Sequence, residues 1–289
     1  MIEAQGLGKR FGSTWAGRDC SFTIPARSVC ALVGGNGAGK TTLLRMLAGL
    51  AKPTTGEARL AGMVPADDPD FLAEIGFLAQ EVPLYRRWTA EDHLQFGARL
   101  NRRWDDAVAR ERLRMLEIPL DRRIEALSGG MRAQVALALA LGKRPSVLLL
   151  DEPVAALDPL ARRDFLVALT TAVVDHEVTV LLSSHLLADL ERVSDHLIVL
   201  TKGQLVLCSD IDEVLASHKL LTSAARDTTV LERDHEVVRI DRTPRQVSVI
   251  ARLEGPIAEP GWDIDDIGLE ELVLAYLGRI DPMNEKVAS

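Results

Sequence analysis

The sequence predicts an α/β fold with a helical insertion and a small α+β C-terminal extension, and three observations along the 289 residues carry that prediction. Short apolar runs end in breakers or polar residues. Runs of helix formers alternate with them. The alternation lapses over residues 81–126, and it changes character after about residue 210. Alternating strand and helix signals mean a parallel sheet covered by helices, with ligands expected beyond the carboxyl ends of the strands.

The first element to justify is SVCALVG at 28–34, an apolar run closed by glycine and followed by the helix formers KTTLLRMLAGL. It reads as strand, tight turn, helix. PSVLLLDEP at 145–153 and VTVLLSSH at 178–185 are two more apolar runs that suit strands buried on both faces. Helical patterns at 131–143 and 159–174 separate them. The stretch 81–126 is poor in strand signal, and Thr89 with Asp92 makes a capping-box pattern ahead of HLQFGARL. Two domains are expected: residues 1–214, with a helical subdomain at about 81–145, and residues 215–289. In the second, EVVRI and QVSVI alternate as strands and GLEELVLAYLG reads as a helix.

GGNGAGKT at 34–41 fits the pattern G-x-x-x-x-G-K-[ST] between a strand and a helix, the setting a phosphate-binding loop requires. Gly34, Gly37 and Gly39 let the backbone curl, so that the amides of Gly34, Gly35, Asn36, Gly37, Ala38, Gly39, Lys40, Thr41 and Thr42 can face phosphate oxygens. Lys40 supplies a point charge, and the Thr41 hydroxyl is placed for Mg²⁺. LLLDEP ends a strand in two carboxylates. Asp151 is positioned as a metal ligand, and Glu152 can orient and deprotonate a water. LSGG at 127–130 is a second anion-suited helix start, about ninety residues beyond the first.

Together, the phosphate loop, the strand-end Asp-Glu pair and LSGG resemble the nucleotide-binding subunit of an ATP-binding cassette (ABC) transporter, over about residues 2–210. The resemblance is to the ATPases of bacterial drug, antibiotic and lipid exporters (the ABC-2 type). It implies a head-to-tail dimer with two ATPs at its interface, a homodimer in preference to a heterodimer. Ser128, Gly129 and Gly130 would then cover the ATP held by the partner's phosphate loop. The two anion sites become halves of one shared site. The same resemblance makes Phe11 the aromatic that stacks on adenine and Gln80 a residue that reaches Mg²⁺ and the attacking water. Asp158 becomes the residue that crosses the dimer seam, and His185 the histidine that contacts the γ-phosphate. Catalysis would fall to Glu152, His185, Gln80 and Lys40, and metal binding to Thr41, Gln80 and Asp151. Gly35 stands where proline is frequent, and Met131 where glutamine usually completes the signature.

The implied activity is ATP hydrolysis with ATP and Mg²⁺, coupled to export through a separate integral-membrane permease docked near PLYRRW. The implied location is the cytoplasmic face of the cell membrane. A soluble ABC ATPase acting on ribosomes or DNA is the alternative. Such proteins usually carry two cassettes, coiled-coil arms or zinc-binding insertions, and none is visible in this sequence. The net charge of −8 also argues against nucleic acid, and all of it resides in the last eighty residues, which hold 17 acidic and 9 basic side chains. Arg86 and Arg87 read as a solvated basic pair, and Trp262 as a packing anchor. Cys20, Cys30 and Cys208 have no paired or metal-like spacing and suit a reducing compartment. MIEAQGLGKRFG lacks the apolar core of a signal peptide, and the longest apolar runs are too short to span a bilayer.

Overall fold

The computed structural model describes residues 1–155, 157–185 and 187–279. The chain divides into two compact units, Met1–Leu205 and Val206–Ser289.

The first unit opens with two long antiparallel strands, β1 (Ile2–Phe11) and β2 (Thr14–Ile24). β3 (Val29–Gly34) and α1 (Lys40–Leu47) follow, then β4 (Thr55–Leu60), which pairs with β1 in a three-stranded sheet of order β2-β1-β4. This sheet leaves little mark in the sequence. Register shifts interrupt β1 around Leu7 and Lys9, so its side chains do not keep the strict alternation that announces a half-buried strand.

α2 (Pro69–Glu74) leads into β5 (Ile75–Leu78). The helical part comprises α3 (Ala90–Leu100), α4 (Asp106–Met115), a short 3₁₀ turn at Ile124–Ala126 and α5 (Gly129–Gly142). The capping box is present: the Thr89 hydroxyl accepts from the Asp92 N–H at 3.0 Å, and the Asp92 carboxylate accepts from the Thr89 N–H at 2.8 Å. These helices close over their own core of Ala90, Leu94, Leu113, Ile124, Leu127, Val135 and Ala138. Trp104 wedges between helices at two glycines. A Cβ on Gly97 or Gly142 would lie 2.8 or 2.9 Å from its ring.

The chain returns to the sheet with β6 (Val147–Asp151), α6 (Pro159–His176), β7 (Thr179–Ser183), α7 (Leu187–Leu190), β8 (His196–Thr201) and β9 (Gln204–Asp210). The six-stranded sheet has the order β5-β6-β7-β3-β8-β9, and β5, β6, β7, β3 and β8 run parallel. Every residue of β3, β6 and β7 is buried, which is why each reads as an unbroken apolar run. The carboxyl ends of these three neighbours place Gly34, Asp151 and Ser183 along one edge.

The second unit contains α8 (Ile211–Ser217), β10 (His218–Ala224), α9 (Thr229–Asp234), β11 (Glu236–Arg242), β12 (Gln246–Arg252), β13 (Asp263–Asp266) and α10 (Leu269–Gly278). Its antiparallel sheet has the order β11-β12-β10-β13. Within the unit α8 runs straight into β10 and packs on it. Leu221, Leu231, Val247, Val249 and Ala251 form its core, with Trp262 packed against them and the Arg226 guanidinium 5.3 Å from the Trp262 ring centroid.

His218 is buried in this unit. Its Nδ1–H donates to the Val214 carbonyl at 2.8 Å, so Nε2 accepts from the Tyr276 hydroxyl at 2.8 Å. Burial pushes the His218 pKa below the ordinary imidazole value, with Arg252 adding to the effect and the Val214 carbonyl and Glu236 opposing it. Burial likewise pushes Tyr276 up to about 12. The folded unit thus holds His218 neutral, and its contribution is intact above the unfolded value of about 6.5 and lost as pH falls below it. Urea titrations of the full chain at about pH 8 and about pH 5.5 should show a second-unit transition weakened by acid, and His218→Gln should flatten that dependence.

Candidate functional site

β3, β6 and β7 deliver the candidate groups to one edge, and α1 delivers the rest. The loop from Gly35 to Thr42 bounds a cleft of about 270 Å³, with Ala16, Gln80 and Glu152 completing its wall. Two glycines there are dictated by space and backbone. Gly39 has φ +105°, and a Cβ on it would stand 2.1 Å from the Ala16 carbonyl oxygen. On Gly34 a Cβ would stand 2.6 Å from the Leu200 carbonyl oxygen. Asn36, Thr41 and Thr42 line the cleft, and α1 starts at Lys40 beneath it.

Lys40 is buried and well partnered. Its ammonium donates to the Gly34 carbonyl at 2.8 Å and lies 3.4 Å from Glu152 Oε1. The other carboxylate oxygen, Glu152 Oε2, is 3.0 Å from His185 Nδ1. A carboxylate only accepts, so Nδ1 carries the hydrogen. Glu152 has φ +47°, in the left-handed region that non-glycine residues avoid. Its N–H donates to the Ser183 hydroxyl at 2.9 Å, and that hydroxyl donates to Asp151 Oδ1 at 2.9 Å. Ser183 was not singled out from sequence. The signal was present, since a buried strand reading TVLLS ends in a hydroxyl that must find polar partners.

The LSGG residues stand elsewhere. Ser128 caps α5, its hydroxyl accepting from the Met131 N–H at 3.1 Å. Gly130 has a steric reason to be glycine, because a Cβ on it would meet the Ala161 Cβ at 3.0 Å. Met131 packs against the helical core, so an apolar side chain at this position has a partner of its own. Gly129 lines a second cleft of about 810 Å³ with Arg86, Arg132, Gln80 and Glu152. Gln80 and Glu152 therefore belong to both clefts, while none of Ser128, Gly129 and Gly130 lines the phosphate-loop cleft of the same chain. Asp158 caps α6, accepting from the Leu160 and Ala161 N–H groups at 3.1 and 3.0 Å. Phe11 is 58 % exposed at the end of β1, with Lys9 Nζ 5.3 Å from its ring centroid, and it does not line the cleft.

The donor set fits Mg²⁺. Among the described residues no group of three or more His, Cys, Asp or Glu side chains could enclose a metal. Mg²⁺ characteristically takes one or two carboxylates plus phosphate oxygens and water. The Thr41 hydroxyl and the Gln80 amide line the cleft as hard oxygen donors of that kind, and Asp151 lies buried at the end of β6 rather than on the cleft wall. The curled loop, which a Cβ at Gly39 would block, suits the triphosphate.

A glycine-rich loop entering a helix from the parallel strand β3, with paired carboxylates at the end of β6 two strands away, defines a P-loop nucleoside triphosphatase. Comparison with known proteins narrows this. The family model described as "ABC transporter" matches residues 18–155. The sulfate/thiosulfate import ATP-binding protein CysA of Synechococcus elongatus is 30% identical over 310 residues, covering 96% of this chain and 89% of that one. ABC transporter ATP-binding protein YtrB of Bacillus subtilis is 26% identical over 287 residues, with 96% and 98% covered. The molybdenum import ATP-binding protein ModC of Thiobacillus denitrificans is 35% identical, with 77% of this chain and 64% of that one covered. The chain thus spans less than two thirds of that relative's length. A solved ATP-binding subunit of an ABC transporter superposes with a TM-score of 0.68 at 27% identity, covering 75% of this chain and 92% of that one. A dimeric bacterial ABC transporter cassette does so at 0.65 and 25%, covering 73% and 99%.

This chain belongs to the ABC transporter family, as an ATP-binding subunit with the P-loop ABC ATPase fold, and the family uses ATP with Mg²⁺. No helix among the described residues is long and apolar enough to cross a membrane.

The loop geometry generates a first test of the site. Gly39→Ala forces a non-glycine residue to φ +105° and into the Ala16 carbonyl. Backbone strain alone costs about 1–3 kcal/mol, so ATP affinity measured by calorimetry should fall by about fivefold or more.

Proposed function

We propose that the chain hydrolyses ATP to ADP and phosphate as the energising subunit of a transporter whose membrane-spanning permease is a separate protein. One observation carries the reading. Lys40 and His185 converge on the two oxygens of Glu152, at 3.4 and 3.0 Å, at the mouth of the phosphate loop.

In this reading Lys40 and the loop amides bind the triphosphate, and its phosphate oxygens compete with Glu152 for the Lys40 ammonium. Glu152 then accepts a proton from water as the water oxygen bonds to the γ-phosphorus. The bond from that phosphorus to the bridging oxygen breaks, and the oxygen leaves with ADP. Thr41, Asp151 and Gln80 are the residues that would hold Mg²⁺, which when bound neutralises charge on the phosphates. Phe11 is the proposed adenine platform. His185 donates to Glu152 through Nδ1, and a contact of its Nε2 with a γ-phosphate oxygen requires a second N–H at that nitrogen.

The separation of Ser128, Gly129 and Gly130 from the phosphate loop of their own chain supports their acting on the ATP of a second copy, with Asp158 at the seam. A solved relative is dimeric, which supports the pairing of two copies. The 810 Å³ cleft beside Arg86 is the proposed seat of the permease's cytoplasmic segment, since Gln80 and Glu152 reach it from the ATP side.

For direction we propose export of a small molecule, on the exporter-like pattern of the cassette and its short C-terminal unit. The second reading is import of an inorganic oxyanion, favoured by the names of the molybdenum and sulfate relatives. Mild-detergent capture from native membranes, with mass spectrometry, should return a multi-spanning protein near one-to-one. Capture of ribosomal or DNA-repair proteins instead would end the transport reading. Loading of molybdate or sulfate into vesicles carrying the complex would replace export by import.

Glu152→Gln should lower ATP turnover by about 10²-fold or more while leaving ATP bound, so that Mg-ATP holds a dimer visible by light scattering. Lys40→Ala should lose ATP affinity itself, and unchanged calorimetric binding would count against the phosphate-loop assignment.

A further inference from the structure

We infer that Ser183 is a positioning residue for ATP hydrolysis: its hydroxyl fixes the strand-end carboxylates Asp151 and Glu152 in their working relation. The inference rests on the hydrolase reading above, in which Glu152 receives the proton.

Ser183 and Asp151 are the last residues of the neighbouring parallel strands β7 and β6, and they stand opposite one another in register. The Ser183 side chain has no access to solvent. A hydroxyl in that position costs stability unless it is hydrogen-bonded, and an apolar residue would continue the strand more cheaply. Its two partners are both site carboxylate residues: Oγ donates to Asp151 Oδ1 at 2.9 Å and accepts the Glu152 N–H at 2.9 Å.

A hydroxyl has one hydrogen. With that hydrogen committed to Asp151, only a lone pair is left for Glu152, and the Glu152 N–H needs an acceptor. The polarity of the pair of bonds is therefore fixed. Each bond has a separate consequence. The bond to Asp151 Oδ1 sets the rotation of that carboxylate at the end of β6. The bond to the Glu152 N–H anchors a residue at φ +47°, a conformation a glutamate would otherwise leave. That turn is what carries the Glu152 carboxylate between Lys40 and His185. Ser183 touches no reacting atom. It acts through the two residues it holds.

The test compares Ser183→Ala, which supplies neither bond, with Ser183→Thr, which supplies both, in the full chain. Glu152→Gln is measured alongside. Single-turnover hydrolysis is read together with calorimetric ATP affinity in EDTA, a measurement that needs neither Mg²⁺ nor turnover. Ser183→Ala should slow the chemical step at least about tenfold while ATP affinity in EDTA stays within about twofold, and Ser183→Thr should restore the rate. Hydrolysis by Ser183→Ala within about twofold of the parent, when Glu152→Gln is inactive, overturns the role of Ser183 and leaves Glu152 as the base. Loss of rate and ATP affinity together, with no rescue by threonine, overturns it as well, because the serine would then only support the fold. A parent chain whose hydrolysis is untouched by Glu152→Gln removes the hydrolase reading and this inference with it.

Discussion

The site is organised by one ion pair. Lys40 and Glu152 are both nearly buried, and neither charge can be left alone in a low-dielectric edge of the protein without a cost of several kcal/mol. Their separation is set by two different strands, β3 with its glycine loop and β6 with its left-handed turn. The six-stranded sheet must therefore hold its register for the pair to form. Unbroken apolar runs in β3, β6 and β7 hold the sheet in place, since sliding β6 or β7 would draw its polar end, Asp151 or Ser183, into the apolar interior. Triphosphate chemistry asks for the same two charges, and the binding of an anion is then a repartition of existing contacts.

The helical part follows a different logic. Its own core keeps it coherent, and its approach to the sheet is close at Gly130 and Ala161, where α5 meets the start of α6. Asp158 caps α6 at that same end. The two segments that the family resemblance assigns to a partner's ATP, the α5 start and the Asp158 loop, therefore touch each other within one chain. A displacement of one is felt by the other through a contact with no slack for a methyl group.

How much of this was legible in the sequence depends on the kind of constraint. GGNGAGKT could be read because glycine and lysine at that spacing leave few alternatives, and the strand-end Asp-Glu pair could be read because polar residues closing an apolar run must face a ligand edge. The capping box at Thr89 and Asp92 and the helices beginning at Gly129 and Pro159 were legible for similarly local reasons. The left-handed backbone of Glu152 was not, since no residue type announces it. Ser183 is hard to single out because two serines closing an apolar run ahead of His185 read simply as the polar end of a strand. The β2-β1-β4 sheet was missed where bulges break the two-residue period, and β13 because its four residues, DIDD, lack the composition of a strand.

That last strand has a meaning of its own. β13 lies at an open edge of the second sheet, and all four of its residues are exposed, with three carboxylates in a row of four. An open edge is an invitation to any other extended chain, including another copy of the same one. Crowding copies together in pairs raises the local concentration of such edges. Like-charged aspartates on both approaching strands make the zipping of sheet to sheet unfavourable. The three aspartates of β13 therefore disfavour its pairing with the β13 of another copy.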